Sequence, residues 1–220
     1  MGIKIIITGA TGMVGEGVLH ECLNHPEVSG VLAINRRIGN TSHPKLTEII
    51  HQDFTNFEGI KDQLKGYDAC FCCMGVTSVG KDEATFHQFT YNLTLPLATL
   101  VASLNPNAVL TYVSGKGTDS SEKGSTMWAR VKGKTENDLM QLPFKGAYMF
   151  RPGYLHPTPG LKNTLKLYRW MGWLYPILKT FFPGSASSLK ELGLAMIKVA
   201  LTGNEKKVVE VKDILALAKK

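Results

Sequence analysis

The chain has 220 residues, 44% of them hydrophobic and 20% charged, the balance of a globular domain and enough for one α/β unit. Its first residues, MGIKIIITGA, lack the basic region, apolar run and cleavage site of a signal peptide, and no apolar run is long and uncharged enough to span a bilayer. The net charge is +7, but the basic residues are scattered and no basic stripe is interleaved with aromatics, so nucleic acid is not an expected partner and an anionic cofactor remains open. Together these features lead to the expectation of a cytoplasmic protein.

In chain order, IKIIIT (3–8) reads as a buried strand. Residues 13–24 follow with Val14, Val18, Leu19 and Cys22 at helical spacing. VLAIN (31–35), TEIIHQ (47–52) and DACFCCM (68–74) are further strands. A long helix is predicted from about Lys81 to Leu104, with a bend at Pro96. AVLTYVS (108–114) is the fifth strand, a helix covers about 126–142, and GAYMF (146–150) is the sixth strand. The tail offers helices near 163–182 and 187–202, a short strand at 208–211 and a last helical turn or two. Apolar strands alternating with helices predict a doubly wound parallel sheet, the Rossmann type of α/β fold, with a ligand crevice at the carboxyl ends of its strands. The reading is one domain over 1–220, with about 154–205 forming a small helical extension on the substrate side. Cys22, Cys70, Cys72 and Cys73 have no second pair at metal-binding spacing, and they read as buried, reduced core residues.

TGATGMVG, from Thr8 to Gly15, joins the first strand to the first helix. Gly9, Gly12 and Gly15 allow a tight turn, close approach of a pyrophosphate to the helix N-terminus, and close packing of helix on strand. Thr11, Met13 and Val14 complete the loop. An acid about 20 residues later would hold a ribose 2′-hydroxyl, whereas arginine suits a 2′-phosphate. The chain reads Asn35, Arg36, Arg37 there. With no acid in that stretch to repel a phosphate, NADP(H) is expected over NAD(H).

The motif resembles the dinucleotide fingerprint of the short-chain dehydrogenase/reductase superfamily in its extended or atypical branches. More narrowly, residues 3 to 153 resemble small Rossmann proteins described as nucleoside-diphosphate-sugar epimerase-like or Tat-interacting-protein-like. The resemblance implies an NAD(P) cofactor and leaves the substrate open. It implies that Asp53, with Phe54 beside it, meets the adenine amino group, the alternative being a helix cap. It also implies that backbone near Gly75 runs along the cofactor. By resemblance Ser114 orients the substrate oxygen, Lys132 holds the nicotinamide ribose, and Asn92 supports a water relay. Each of the three has a plain alternative, as a capping serine, a solvated lysine or a helix-surface asparagine.

The resemblance also implies a proton-donating tyrosine four residues before Lys132, where this chain has Trp128. An indole N–H donates a hydrogen bond but has no usable acidity, so Trp128 cannot be the general acid. It is either a packed aromatic sharing a stripe with Val131, Thr135, Leu139 and Leu142, or a wall of the nicotinamide pocket. Tyr154, His156 and Tyr91 are the replacements considered, and Lys116 or Lys132 can polarise a carbonyl without a dedicated acid. Two functions follow: a reductase or epimerase-like enzyme on a small carbonyl or sugar-like compound, or a catalytically silent NADP(H)-binding sensor or scaffold. The aromatic stretch 167–183 reads as core packing, a substrate lid, a dimer face or a peripheral membrane contact.

Overall fold

A computed structural model of the chain describes residues 2–163, 175, 182 and 184–219. Nine strands occur among them: β1 Ile3–Thr8, β2 Val28–Asn35, β3 Leu46–Ile50, β4 Ala69–Cys72, β5 Val109–Val113, β6 Gly146–Arg151, β7 Tyr154–His156, β8 Ala186–Ser188 and β9 Val208–Glu210. The helices are α1 Met13–Asn24, α2 Glu83–Leu104, α3 Met127–Met140, α4 Leu189–Thr202 and α5 Val211–Leu217, with a 3-10 helix at Glu58–Leu64.

Seven strands form one sheet in the order β3-β2-β1-β4-β5-β6-β9, with every pair parallel. Parallel strands need crossovers that cover both faces, so their side chains are apolar on both. Ile5, Ile6 and Ile7 are accordingly all fully buried. Ile5 and Ile7 join Val18, Leu19, Leu192 and Met196 in the layer of α1 and α4. Ile6 joins Leu32, Leu97, Val101, Leu110 and Leu139 in the layer of α2 and α3. Strand order reverses between β1 and β4, and a crevice opens at the carboxyl ends of the strands at such a switch point.

The helices start and stop for local reasons. The Asp82 carboxylate accepts from Thr85 N at 2.8 Å and caps α2. A reciprocal capping box between Ser188 and Glu191 starts α4. Pro96 lies inside α2, which runs on to Leu104. Close approach of α1 and α4 rests on glycine: a Cβ on Gly17 would stand 2.8 Å from Leu189 Cβ, and one on Gly193 would stand 2.8 Å from Glu21 Cβ. The last helices therefore build the main sandwich, and β9 extends the main sheet beside β6. β7 and β8 form a separate parallel pair.

The strand edges expected at 47–52 and 68–74 contract to 46–50 and 69–72. Past Cys72, one further bond, Cys73 N to Thr8 O at 3.3 Å, closes the ladder before the chain leaves the sheet. All four cysteines are buried free thiols. The helix expected near 163–182 and most of the aromatic stretch lie outside the described residues. Among the described residues no helix is long and apolar enough to cross a membrane.

Candidate active site

The glycine loop sits at the switch point between β1 and β4. Gly9 has φ of 76°, and a Cβ there would stand 2.6 Å from Met74 N. A Cβ on Gly15 would stand 2.1 Å from Gly9 O. These two glycines are thus demanded by the turn itself. Gly12 is different. It is the N-cap of α1, makes no side-chain cap bond, and its Cβ would meet only Gly9 O, at 3.4 Å. Space is open beside it, at the end of a helix whose first amides lack side-chain acceptors. Gly75, at the exit from β4, also faces open space.

A cavity lies on each side of this loop. The first, about 270 Å³, is lined by Ala10, Thr11, Asn35, Arg37, Glu48 and Asn163, among others. The second, about 310 Å³, is lined by Met13, Val14, Ser114, Lys116, Gly153 and Leu155, among others. Two hollows flanking an open glycine turn suit a two-part ligand bridged by a pyrophosphate. A second observation supports that fit. Asn35 is only 3% exposed, its Nδ2 donates to Glu48 Oε1 at 2.7 Å, and its Oδ1 has no partner. That amide holds the Glu48 carboxylate in the same cavity wall, where a carboxylate can accept from a ribose hydroxyl.

The side of the second cavity is built from β5, β6 and α3. Ser114 lies one residue past β5, and its Oγ is bonded to Glu136 Oε1 and lies 3.1 Å from Phe150 O. Glu136 is fully buried and paired with Arg151, whose Nε lies 3.0 Å from Oε1. Lys132 turns its Nζ to the Ser114 backbone carbonyl. Burial pushes its ammonium down to about 8, against the opposing pull of Glu136. Lys116 reaches across from the β5–α3 loop and donates to Gly184 O at 2.9 Å.

Trp128 is half-buried, at the outer end of a stripe in which Val131, Thr135 and Leu139 are buried. A Cβ on Gly117 would stand 3.5 Å from its ring, so the indole lies against the β5–α3 loop. None of the three replacement acids lines the second cavity. Tyr91 donates to Asp138 Oδ2 at 2.6 Å, on the α2–α3 surface. Tyr154 and His156 alternate with cavity-lining Leu155 along β7 and so project to the other face. The His156 ring stacks on Tyr175 at 4.3 Å, and burial pushes its pKa below the usual histidine value despite Glu191.

Several expected positions move. Asn92 is exposed on α2 and lines neither cavity, because the inward face of α2 at that level is Thr90 and Thr94. Asp53 accepts through one carboxylate oxygen, Oδ1, from Thr55 N at 2.9 Å and from Thr55 Oγ1, a local turn that lowers its pKa. Phe54 is buried against Phe57 in an edge-on contact at 5.5 Å. Arg36 offers its carbonyl to Gln52, and of the two arginines only Arg37 lines the first cavity. Glu48 is the main residue missed. The stretch Asn35–Arg37 itself carries no acid, but β3 pairs alongside β2 and brings Glu48 to Asn35. Glu136 was also missed, although its spacing of four from Lys132 on one helix face signalled it.

The model of the NAD dependent epimerase/dehydratase family matches residues 5–131, more than half of the chain. This chain belongs to that family. It is an NAD(P)-binding, oxidoreductase- or epimerase-like protein with a site for a nicotinamide dinucleotide. It is 29% identical over 155 residues to Protein HTATIP2 of Rattus norvegicus, a match covering 69% of this chain and 62% of that protein. It is 27% identical over 216 residues to Protein FMP52, mitochondrial, of Candida albicans, covering 93% and 92% of the two chains. Among solved structures, the short chain dehydrogenase/reductase YIR035C of Saccharomyces cerevisiae superposes with a TM-score of 0.68 at 14% identity, covering 99% of both chains. The Bordetella bronchiseptica enzyme WbmF in complex with NAD+ superposes at 0.66 and 15% identity, covering 99% of this chain and 77% of that one. These superpositions establish the fold. The cytoplasmic expectation is corrected by the relatives, since the Candida, Scheffersomyces and Meyerozyma proteins are all named mitochondrial. It rested on the lack of a secretory signal pattern, which does not bear on that alternative.

Proposed function

We propose that this chain is an oxidoreductase or epimerase-like enzyme that acts on a small carbonyl or sugar-like compound and favours NADP(H) over NAD(H). The observation that carries the reading is that Ser114 and Lys116 line the same cavity as Met13 and Val14, the first residues of the glycine-headed helix. A bound nicotinamide dinucleotide supplies hydride transfer. The glycine turn and the first amides of α1 would hold its pyrophosphate, and Arg37 would attract a 2′-phosphate in the first cavity. Ser114 and Lys116 would orient and polarise the substrate oxygen. A proton leaving Ser114 Oγ has a carboxylate beside it, at Glu136 Oε1. Leu155 and Val14 exclude water from the cavity wall.

A second reading, a silent NADP(H)-binding sensor or scaffold, is favoured by Trp128 and by the distance of Tyr91, Tyr154 and His156 from the cavity. Fluorescence titration with NADPH and NADH, on wild type and Arg37→Ala, tests the common ground of the two. Tighter NADPH binding that the variant loses is expected. Turnover is then measured as NADPH oxidation with a panel of small aldehydes and ketones, alongside Trp128→Tyr. Turnover supports the enzyme; binding with no turnover in either protein supports the silent reading; no binding of either nucleotide removes both.

A further inference from the structure

The wall of the first cavity carries two opposed charges from different strands. Arg37 follows β2 and makes no ion pair among the described residues. Glu48 comes from the middle of β3, one strand out, and also lines the cavity. Its Oε1 accepts from Asn35 Nδ2 at 2.7 Å and from Gly39 N at 3.0 Å. Those two donors fix the carboxylate in the wall. They also fix the Asn35 amide, whose nitrogen is turned to Glu48 and whose oxygen is buried out of a ligand's reach.

The wall therefore offers a carboxylate beside a guanidinium. A ribose hydroxyl donates to the carboxylate. A 2′-phosphate is anionic near neutral pH, so Arg37 attracts it while the Glu48 carboxylate repels it.

We infer that Glu48 is a cofactor-selecting residue, which is held in place by Asn35, accepts adenosine ribose hydroxyls and works against Arg37 to hold down the preference for a 2′-phosphate. This rests on the nicotinamide-dinucleotide reading above and adds its second determinant. The selecting acid sits on β3 rather than at the end of β2, so both charges act on one phosphate and the wild type accepts both nucleotides with modest discrimination.

The test uses the full chain and two adenosine fragments, 2′,5′-ADP and 5′-AMP, titrated by calorimetry against wild type, Glu48→Gln and Arg37→Ala. Glutamine keeps an oxygen for Asn35 Nδ2 and Gly39 N and removes only the charge. Glu48 is half-exposed on the edge strand, and thermal melts of the variant check that the fold is kept. Glu48→Gln is expected to raise the affinity ratio of 2′,5′-ADP to 5′-AMP on the order of tenfold, and Arg37→Ala to lower it. Full NADPH and NADH repeat the comparison. A ratio unmoved by Glu48→Gln, with both fragments still bound, overturns this inference and leaves the dinucleotide site standing. Failure of wild type to bind either fragment or either nucleotide overturns both.

Discussion

The Ser114 hydroxyl is bonded to the Glu136 carboxylate, while Lys132 holds the carbonyl of the same serine. One residue just past the end of β5 is thus gripped twice from α3, by residues one helical turn apart. Glu136 is in turn held by Arg151 from β6, so Ser114, in the wall of the second cavity, is tied to a buried ion pair.

That pair makes Glu136 expensive to remove. Glu136→Ala leaves the Arg151 guanidinium without its main partner, and breaking a buried pair this way costs about 3–5 kcal/mol. Ser114→Ala, which keeps the pair and loses one hydrogen bond, costs about 1 kcal/mol. Chemical denaturation of the two variants measures the difference. Equal losses would show that Glu136 is not the structural centre of this network.

Lys132 sets a pH dependence. Its folded pKa, about 8, lies below the ordinary lysine value of 10.5. The unfolded chain therefore holds this proton more tightly than the native one. Below about pH 8 the buried ammonium is a standing penalty on folding. Between about 8 and 10.5 the native lysine is neutral while the unfolded one is still charged, so stability rises with pH across that window. Lys132→Met is expected to be the more stable protein at pH 7, with its advantage shrinking towards pH 10. Denaturation midpoints of both proteins across the window decide it, and a constant gap counts against the burial of a charged amine.

The glycines divide by role. Gly15→Ala would drive a methyl against Gly9 O, 2.1 Å from the ideal Cβ position, and such overpacking costs roughly 1–3 kcal/mol. Gly12→Ala and Gly75→Ala meet little or nothing within the chain, so melting temperatures are expected to stay near wild type. Nucleotide titration should then show weakened binding for Gly12→Ala, whose methyl occupies the open side of the turn. Unchanged affinity there would remove Gly12 from the pyrophosphate site.

Glu16 fastens the loop that follows β7. It lies in the first turn of α1, is buried, and accepts from Lys162 N at 3.0 Å and Asn163 N at 2.8 Å. Asn163 lines the first cavity, so the fastened loop forms part of its wall. Glu16→Ala is expected to speed hydrogen exchange at the amides of 162 and 163 and to raise the dissociation rate of bound nucleotide. Stopped-flow release and exchange mass spectrometry read the two effects. Exchange that stays slow in the variant would mean other contacts hold the loop.

The layered fold was legible because its signals are local. Apolar triplets such as Ile5–Ile7 mark strands buried on both faces, and Gly9, Gly12 and Gly15 mark a turn that no other residue fits at two of three positions. The places of Arg37 and Ser114 beside the two cavities were legible for the same reason, since each follows directly from the end of a strand. At Asp53 the sequence left a ligand contact and a local cap open, and a carboxylate two residues before Thr55 does close its own turn.

The sequence by itself determined the strand–helix alternation, the tight glycine turn and the absence of a titratable group at Trp128, four residues before Lys132, all of which depend on neighbours within a few residues. Only the tertiary structure decided which charges share a cavity. Glu48 reaches Asn35 because β3 pairs beside β2, and Ser114 meets Glu136, itself paired with Arg151, because β5, α3 and β6 converge. Contacts between residues 13 to 36 positions apart depend on strand register and helix packing, which no short window of sequence encodes.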